Sequence, residues 1–87
     1  MTDHTLDLFS TPDCPHCRSA RDYLSSKGVS YREYDVSCDQ EALHRMLSLS
    51  GCATVPTIRI GDEVLVGFDR PKLDRMIDQL KRARGGQ

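Results

Sequence analysis

The chain has 87 residues, with 12 Lys and Arg against 13 Asp and Glu, and it contains four cysteines. A chain of this length buries only about 60–65% of its unfolded surface, so residues 1–87 are expected to form a single domain without a separate substrate domain. The net charge of −1 and the scattered arginines argue against nucleic acid or an anionic membrane as the main partner.

The first half of the chain predicts a strand–helix–strand unit. Residues 5–9 are typical of a buried strand, and a helix is expected from Cys14 or Pro15 to Lys27. Gly28 follows the helix directly and is suited to a left-handed helix stop. Residues 29–34 predict a second strand, which should run parallel to the first after a right-handed crossover.

The second half predicts a helix, a hairpin and a final helix. Asp39 or Ser37 is expected to cap a helix that runs to about residue 49 and ends at Gly51. Residues 57–60 and 63–66 predict a hairpin with a two-residue turn. Asp69 is a good N-cap for the last helix. The side chains expected to face the core in these two helices are Leu43, Met46, Leu47, Leu73, Met76, Ile77 and Leu80. Residues 85–87 should fray, and the element order is β-α-β-α-β-β-α.

Targeting features are not predicted for this chain. Residues 1–4 do not form a positively charged leader, and no apolar run approaches the roughly 18 residues of a membrane span. We therefore expect a cytoplasmic protein. Structural disulfides are rare in that compartment, so closely spaced cysteines are expected to be catalytic or metal-binding.

Cys14-Pro15-His16-Cys17 lies where the first strand gives way to the first helix, which is typical of a dithiol–disulfide redox site. The thiolate is the nucleophile in disulfide exchange, and a helix N-terminus stabilises an anion. Pro15 suits the first helical position because its missing N–H has no helical partner there. Two alternatives are a pair of buried structural cysteines and a zinc site completed by Cys38 and Cys52, although structural zinc sites usually show two close pairs.

The neighbours of the cysteine pair are expected to tune it. His16 would lower the thiolate pKa as a cation, or else serve as an exposed spacer that shapes substrate contact. Asp13 would act in the opposite direction if its carboxylate faced the sulfur. Cys38 and Cys52 are either incidental or regulatory thiols.

Thr54-Val55-Pro56 is the second group of interest. A proline at the start of a strand can mark a sheet edge, whereas a cis Val–Pro bond would form a tight turn with exposed backbone groups. The spacing alone predicts cis only at its background frequency.

Taken together, these motifs resemble the glutaredoxin family from Leu6 to Leu80, most closely the small branch with a CPxC site and a Gly-Phe-Asp element. The resemblance implies a thioredoxin-like α/β fold, with a four-stranded mixed sheet in the order 2-1-3-4 and three helices. It implies Cys14 as nucleophile and Cys17 as resolving thiol. It also implies that Val55-Pro56 is cis and lies beside the thiols, where the Val55 backbone would pair with a peptide or glutathione.

The implied activity is that of a thiol–disulfide oxidoreductase reducing protein or glutathione mixed disulfides. No bound cofactor or metal is implied, because glutathione would act as co-substrate and Pro15 argues against an iron–sulfur cluster; a monomer is expected.

Two departures from the family pattern bear on which reductant restores the dithiol. Thr11 occupies the place of a basic residue, and Gly67-Phe68-Asp69 replaces a Gly-Gly pair. This version is similar to redoxins recharged by thioredoxin reductase, and a redox-sensing binding protein is a further alternative. The residues implied in binding substrate or glutathione are Thr11, Thr54, Val55, Pro56, Gly67, Phe68 and Asp69.

Overall fold

In a computed structural model, residues 6–61 and 63–85 are described, with side chains as far as Leu80. The elements are β1 (Leu6–Ser10), α1 (Pro15–Ser26), β2 (Tyr31–Asp35), α2 (Gln40–Ser50), β3 (Thr57–Ile60), β4 (Glu63–Val66) and α3 (Arg70–Gly85). The sheet order is β2-β1-β3-β4. Strand β1 pairs parallel with β2 and antiparallel with β3, which pairs antiparallel with β4. The expected element order, mixed sheet and strand order are confirmed.

The element boundaries differ from the predicted ones at a few places. Strand β2 begins at Tyr31 rather than at Val29, because the Val29 N–H donates a hydrogen bond to the Leu24 carbonyl over 3.2 Å and is tied to the end of α1. Helix α3 includes Gly85, the first residue of the segment expected to fray. Position 5 of the predicted first strand, position 62 of the predicted hairpin turn and positions 86 and 87 of the predicted fraying end lie outside the described residues.

The core occupies both faces of the sheet, and β1 at its centre is buried along its whole length. Leu6 and Leu8 pack against α1 and α3, whereas Phe9 packs with Met46 of α2. The predicted stripe of α3 is buried. The prediction for Leu47 was wrong: its side chain is 37% exposed, because Ala42 and Met46 form the buried face of α2.

A buried carboxylate lies on β1. Asp7 is 3% exposed and accepts hydrogen bonds from Arg59 of β3, over 2.7 Å from Nη2 and 3.1 Å from Nε. Burial of an unpaired charge is costly, so this two-point contact with the facing strand offsets the cost of desolvation. Of the helices that the structure describes, none has the length and apolar character needed to cross a membrane.

Candidate active site at the start of the first helix

Cys14 is the N-cap residue of α1. Its backbone is extended, with φ −94° and ψ 115°, and Pro15 is the first helical residue. Such a cap residue normally uses a side-chain acceptor for one of the unpaired N–H groups of the first turn. Here the Cys14 Sγ accepts a hydrogen bond from the Cys17 N–H over 3.3 Å, so the sulfur itself caps the helix.

The surroundings of Cys14 favour its thiolate. Burial raises the pKa of this thiol, but hydrogen bonds from the Cys17 thiol and from the N–H groups of Cys17 and His16, together with the charge of Arg21, bring the pKa below its ordinary value. The hydrogen-bond donors and the cation all stabilise the anion, which overcomes desolvation. Cys14 is partly exposed to solvent.

The second thiol behaves in the opposite way. Cys17 is completely buried, and burial, with a hydrogen bond from its thiol to Cys14, raises its pKa to about 11, although the Thr11 N–H acts to lower it. The surroundings therefore lower the pKa of one sulfur and raise the pKa of the other. Both are free cysteines in this structure.

The Thr54-Val55-Pro56 segment lies beside the thiols. The Val55–Pro56 peptide bond is cis, as the resemblance implied. The Val55 carbonyl accepts a hydrogen bond from the Cys14 thiol over 3.9 Å, and the Thr54 carbonyl accepts one from the Thr57 hydroxyl over 2.7 Å. The Cys14–Val55 contact joins two segments that are 41 residues apart in the sequence. Residues 54–56 therefore form a wall beside the thiols.

The Gly67-Phe68-Asp69 segment is attached to the same wall. The Gly67 N–H donates to the Pro56 carbonyl over 2.7 Å, and Gly67 has a φ of 85° that a side chain would disfavour. Phe68 packs edge-on against the ring of Tyr23 in α1, with 6.0 Å between ring centroids. Asp69 caps α3, since its carboxylate accepts from the Lys72 N–H over 3.4 Å.

Two residues near the site were missed by the sequence reasoning. Arg21 contributes its positive charge to both thiols, and Tyr23 holds Phe68. Arg21 lies four residues after Cys17 in α1, and this i, i+4 spacing was the signal available in the sequence. The side chain of His16 is exposed, and it is the backbone N–H of His16 that acts on Cys14.

The other two cysteines are engaged locally. The Cys38 thiol donates to the Asp35 carbonyl over 3.8 Å, and the Asp35 carboxylate raises the pKa of Cys38. Hydrogen bonds with Thr54 and Ser50 lower the pKa of Cys52. Within the described part of the chain, no three His, Cys, Asp or Glu side chains are grouped so that they could hold a metal ion.

Comparison with known proteins places this arrangement in context. Residues 6–65 match the family model described as Glutaredoxin. The chain is 34% identical over 74 residues to an uncharacterized glutaredoxin-like 8.6 kDa protein in the rubredoxin operon of Clostridium pasteurianum, covering 85% of this chain and 99% of that one. It is 34% identical over 64 residues to glutaredoxin 3 of Escherichia coli K12, covering 74% and 77%. The solved structure of a glutaredoxin from Archaeoglobus fulgidus has a similar fold, with a TM-score of 0.78 at 24% identity over 85% of this chain and 86% of that chain.

Proposed function

Because this chain belongs to the glutaredoxin family, we propose that it is a thiol–disulfide oxidoreductase that reduces protein or glutathione mixed disulfides through Cys14 and Cys17. The observation that carries the proposal is the pairing of a partly exposed sulfur that favours its thiolate with a buried, protonated thiol one helical turn away. A nucleophile and a resolving thiol need these two environments.

The reaction proceeds by two exchange steps. The Cys14 thiolate attacks one sulfur of the substrate disulfide, whose S–S bond breaks as the other sulfur leaves as a thiolate and takes up a proton. Cys17 then loses its proton and attacks the Cys14 sulfur. This step releases the second substrate thiol and forms a Cys14–Cys17 disulfide. Two electrons have passed to the substrate, and no bound cofactor is needed.

The wall beside the thiols supports a backbone mode of substrate binding. Once Cys14 is ionised or forms a mixed disulfide, it no longer donates its proton to the Val55 carbonyl, which becomes available to a bound peptide or glutathione. Thr54 is exposed and Val55 partly exposed, so an extended substrate chain can lie along this segment. Phe68 and Asp69 follow Gly67, which is hydrogen-bonded to Pro56, and they would border the same substrate.

The reductant that restores the dithiol is proposed to be glutathione, acting as co-substrate in a reducing compartment such as the cytoplasm. The alternative is recharging by thioredoxin reductase. It is favoured by Thr11 in place of a basic residue and by Phe68 in the segment that follows β4. In both cases the partners are disulfide-containing proteins, and the monomer carries both thiols.

Substitution of each cysteine tests the roles. Cys17→Ser should accumulate mixed disulfides with substrate, because the resolving thiol is missing, while Cys14→Ser should lose all exchange. The paired substitution Cys38→Ser/Cys52→Ser is the control and should keep turnover of a small mixed disulfide. Turnover retained by Cys14→Ser would overturn the assignment. Running wild type with glutathione and its reductase, and in parallel with thioredoxin reductase, identifies the electron source.

A further inference from the structure

A chain of polar contacts connects α1 to the two neighbouring strands. Arg21 Nη1 lies 2.5 Å from Glu33 Oε2 in β2. The same carboxylate oxygen accepts a hydrogen bond from the Ser10 hydroxyl at the end of β1, over 2.7 Å. Ser10 is 2% exposed. The Glu33 carboxylate is therefore held by a buried hydroxyl as well as by the Arg21 guanidinium. We call Arg21, Glu33 and Ser10 the arginine clamp.

Two clamp residues neighbour the thiol site along the chain. Arg21 follows Cys17 by four residues in α1, so the two side chains share one face of the helix. Ser10 is the last residue of β1, directly before the turn whose Thr11 N–H acts on Cys17. With Pro12 and Asp35, the clamp residues line a shallow groove. The positive charge of Arg21 stabilises the anionic form of both Cys14 and Cys17.

The other charges around this groove are accounted for. The Asp35 carboxylate accepts hydrogen bonds from the backbone and hydroxyl of Ser37, which stabilise its charge locally. Asp13 precedes Cys14 and is exposed, so solvent screens it. The charge of Arg21 acts on both sulfurs, although it contributes less than the hydrogen bonds do, and Glu33 is its direct counter-ion.

We propose that Arg21 makes the Cys14–Cys17 disulfide more oxidising, in addition to the hydrogen bonds at the start of α1, and that Glu33 is a positioning residue that limits how much of this charge the sulfurs experience. This inference rests on the proposed function, since it concerns the same dithiol. Neither residue belongs to the thiol motif or to the two segments that border it. The clamp would therefore adjust the direction of electron flow without touching the substrate.

The expected direction follows from the chemistry of the couple. Oxidation removes two electrons and two protons from Cys14 and Cys17 and forms one S–S bond, while one molecule of glutathione disulfide becomes two of glutathione. A group that stabilises the thiolate stabilises the reduced protein and makes the disulfide more oxidising. Loss of Arg21 should thus favour the disulfide, whereas loss of the charge on Glu33 should favour the dithiol.

The test measures this equilibrium in glutathione buffers of defined ratio, with the fraction of dithiol counted by alkylation and mass spectrometry. All proteins carry Cys38→Ser and Cys52→Ser. Arg21→Met should shift the equilibrium constant toward the disulfide by about threefold, which is the size expected for a partly exposed charge. Glu33→Gln, which keeps an oxygen for Ser10 and Arg21, should shift it toward the dithiol. Arg21→Lys, which retains the charge, should restore most of the wild-type value.

Arg32→Gln is the matched control. Like Arg21→Met, it removes one positive charge. Arg32 precedes Glu33 in β2, so the Arg32 side chain points to the opposite face of the sheet from that of Glu33. It should leave the equilibrium unchanged.

The opposite signs distinguish the proposal from a structural role. Arg21→Met and Glu33→Gln both break the same ion pair, so shifts of the same sign, or no shift in either, would overturn the inference while leaving the dithiol chemistry intact. If the wild-type protein formed no Cys14–Cys17 disulfide at any glutathione ratio, the proposed function itself would fail, and this inference with it.

Discussion

The backbone N–H of Cys17 donates a hydrogen bond to the sulfur of Cys14 over 3.3 Å. One atom therefore serves both as the cap of α1 and as the proposed nucleophile. Helix formation and activation of the thiolate depend on the same unpaired N–H groups of the first turn.

This double role predicts that stability and activity at Cys14 can be separated. Cys14→Ser keeps a capping acceptor and should fold with a free energy of unfolding close to that of the reduced wild type, although exchange is lost. Cys14→Ala removes the acceptor and should be less stable by about 1 kcal/mol. Urea unfolding under reducing conditions measures both. Equal stabilities for the Ser and Ala variants would show that the sulfur does not cap the helix.

Alkylation should be selective for Cys14. In a Cys38→Ser/Cys52→Ser background, iodoacetamide at neutral pH should modify one residue, because the pKa of Cys14 is lowered while that of Cys17 is raised to about 11. The rate should fall as the pH is lowered through the pKa of Cys14, since the thiol form does not react. Mass spectrometry of the labelled peptide identifies the site. Faster labelling of Cys17 would contradict the assignment.

Cys17 should make the reduced protein less stable in alkali. A thiol in the unfolded chain ionises near its ordinary value of 9.0, whereas the buried Cys17 keeps its proton to about 11. Between these pH values the folded state holds more protons, so stability is present below pH 9 and is lost as the pH rises. The loss should reach about 2 kcal/mol. The comparison with Cys17→Ala, measured by urea unfolding from pH 7 to 10.5, isolates this contribution from that of the tyrosines; parallel curves would refute it.

His16 should have little influence through its side chain. Because its ring is exposed and its backbone N–H is the group that acts on Cys14, His16→Ala should change the alkylation rate of Cys14 at pH 7 by less than about twofold. His16→Pro, which removes the N–H, should slow alkylation more. If alanine had the larger effect, the imidazole would be the tuning group, as the first interpretation of the motif allowed.

Removal of the buried charge on β1 should destabilise the fold. Asp7→Asn replaces the carboxylate that Arg59, whose side chain is 32% exposed, binds at two points, and we expect a loss of about 2 kcal/mol in the free energy of unfolding. Asp22→Asn, in the exposed face of α1, removes an equal charge and should stay within about 0.5 kcal/mol of wild type. Similar losses in the two variants would mean that the Asp7–Arg59 contact contributes nothing specific.

The sequence predictions were accurate where a feature depends on residues close together in the chain, and less accurate where it depends on tertiary packing. The start of α1, the stop at Gly28 and the stripe of α3 were predicted because they depend on residues within a few positions of one another. Leu47 was misassigned because helical spacing alone cannot say which side of a broad apolar face meets the sheet. The cis Val55–Pro56 bond followed from the family resemblance and not from spacing.

The sequence by itself determined the order of the elements and the two thiols at the start of a helix, because both are encoded by local spacing. The family was indicated by the resemblance of motifs distributed from Leu6 to Leu80. The resemblance implied that Val55 lies beside the thiols, and the tertiary structure gives its contact with Cys14 across 41 positions. Only the tertiary structure showed that Glu33 of β2 holds Arg21 across 12 positions. Burial of Cys17 likewise depends on how the helix packs on the sheet. The contrast between the two sulfurs therefore arises from packing, since desolvation and charge act through space.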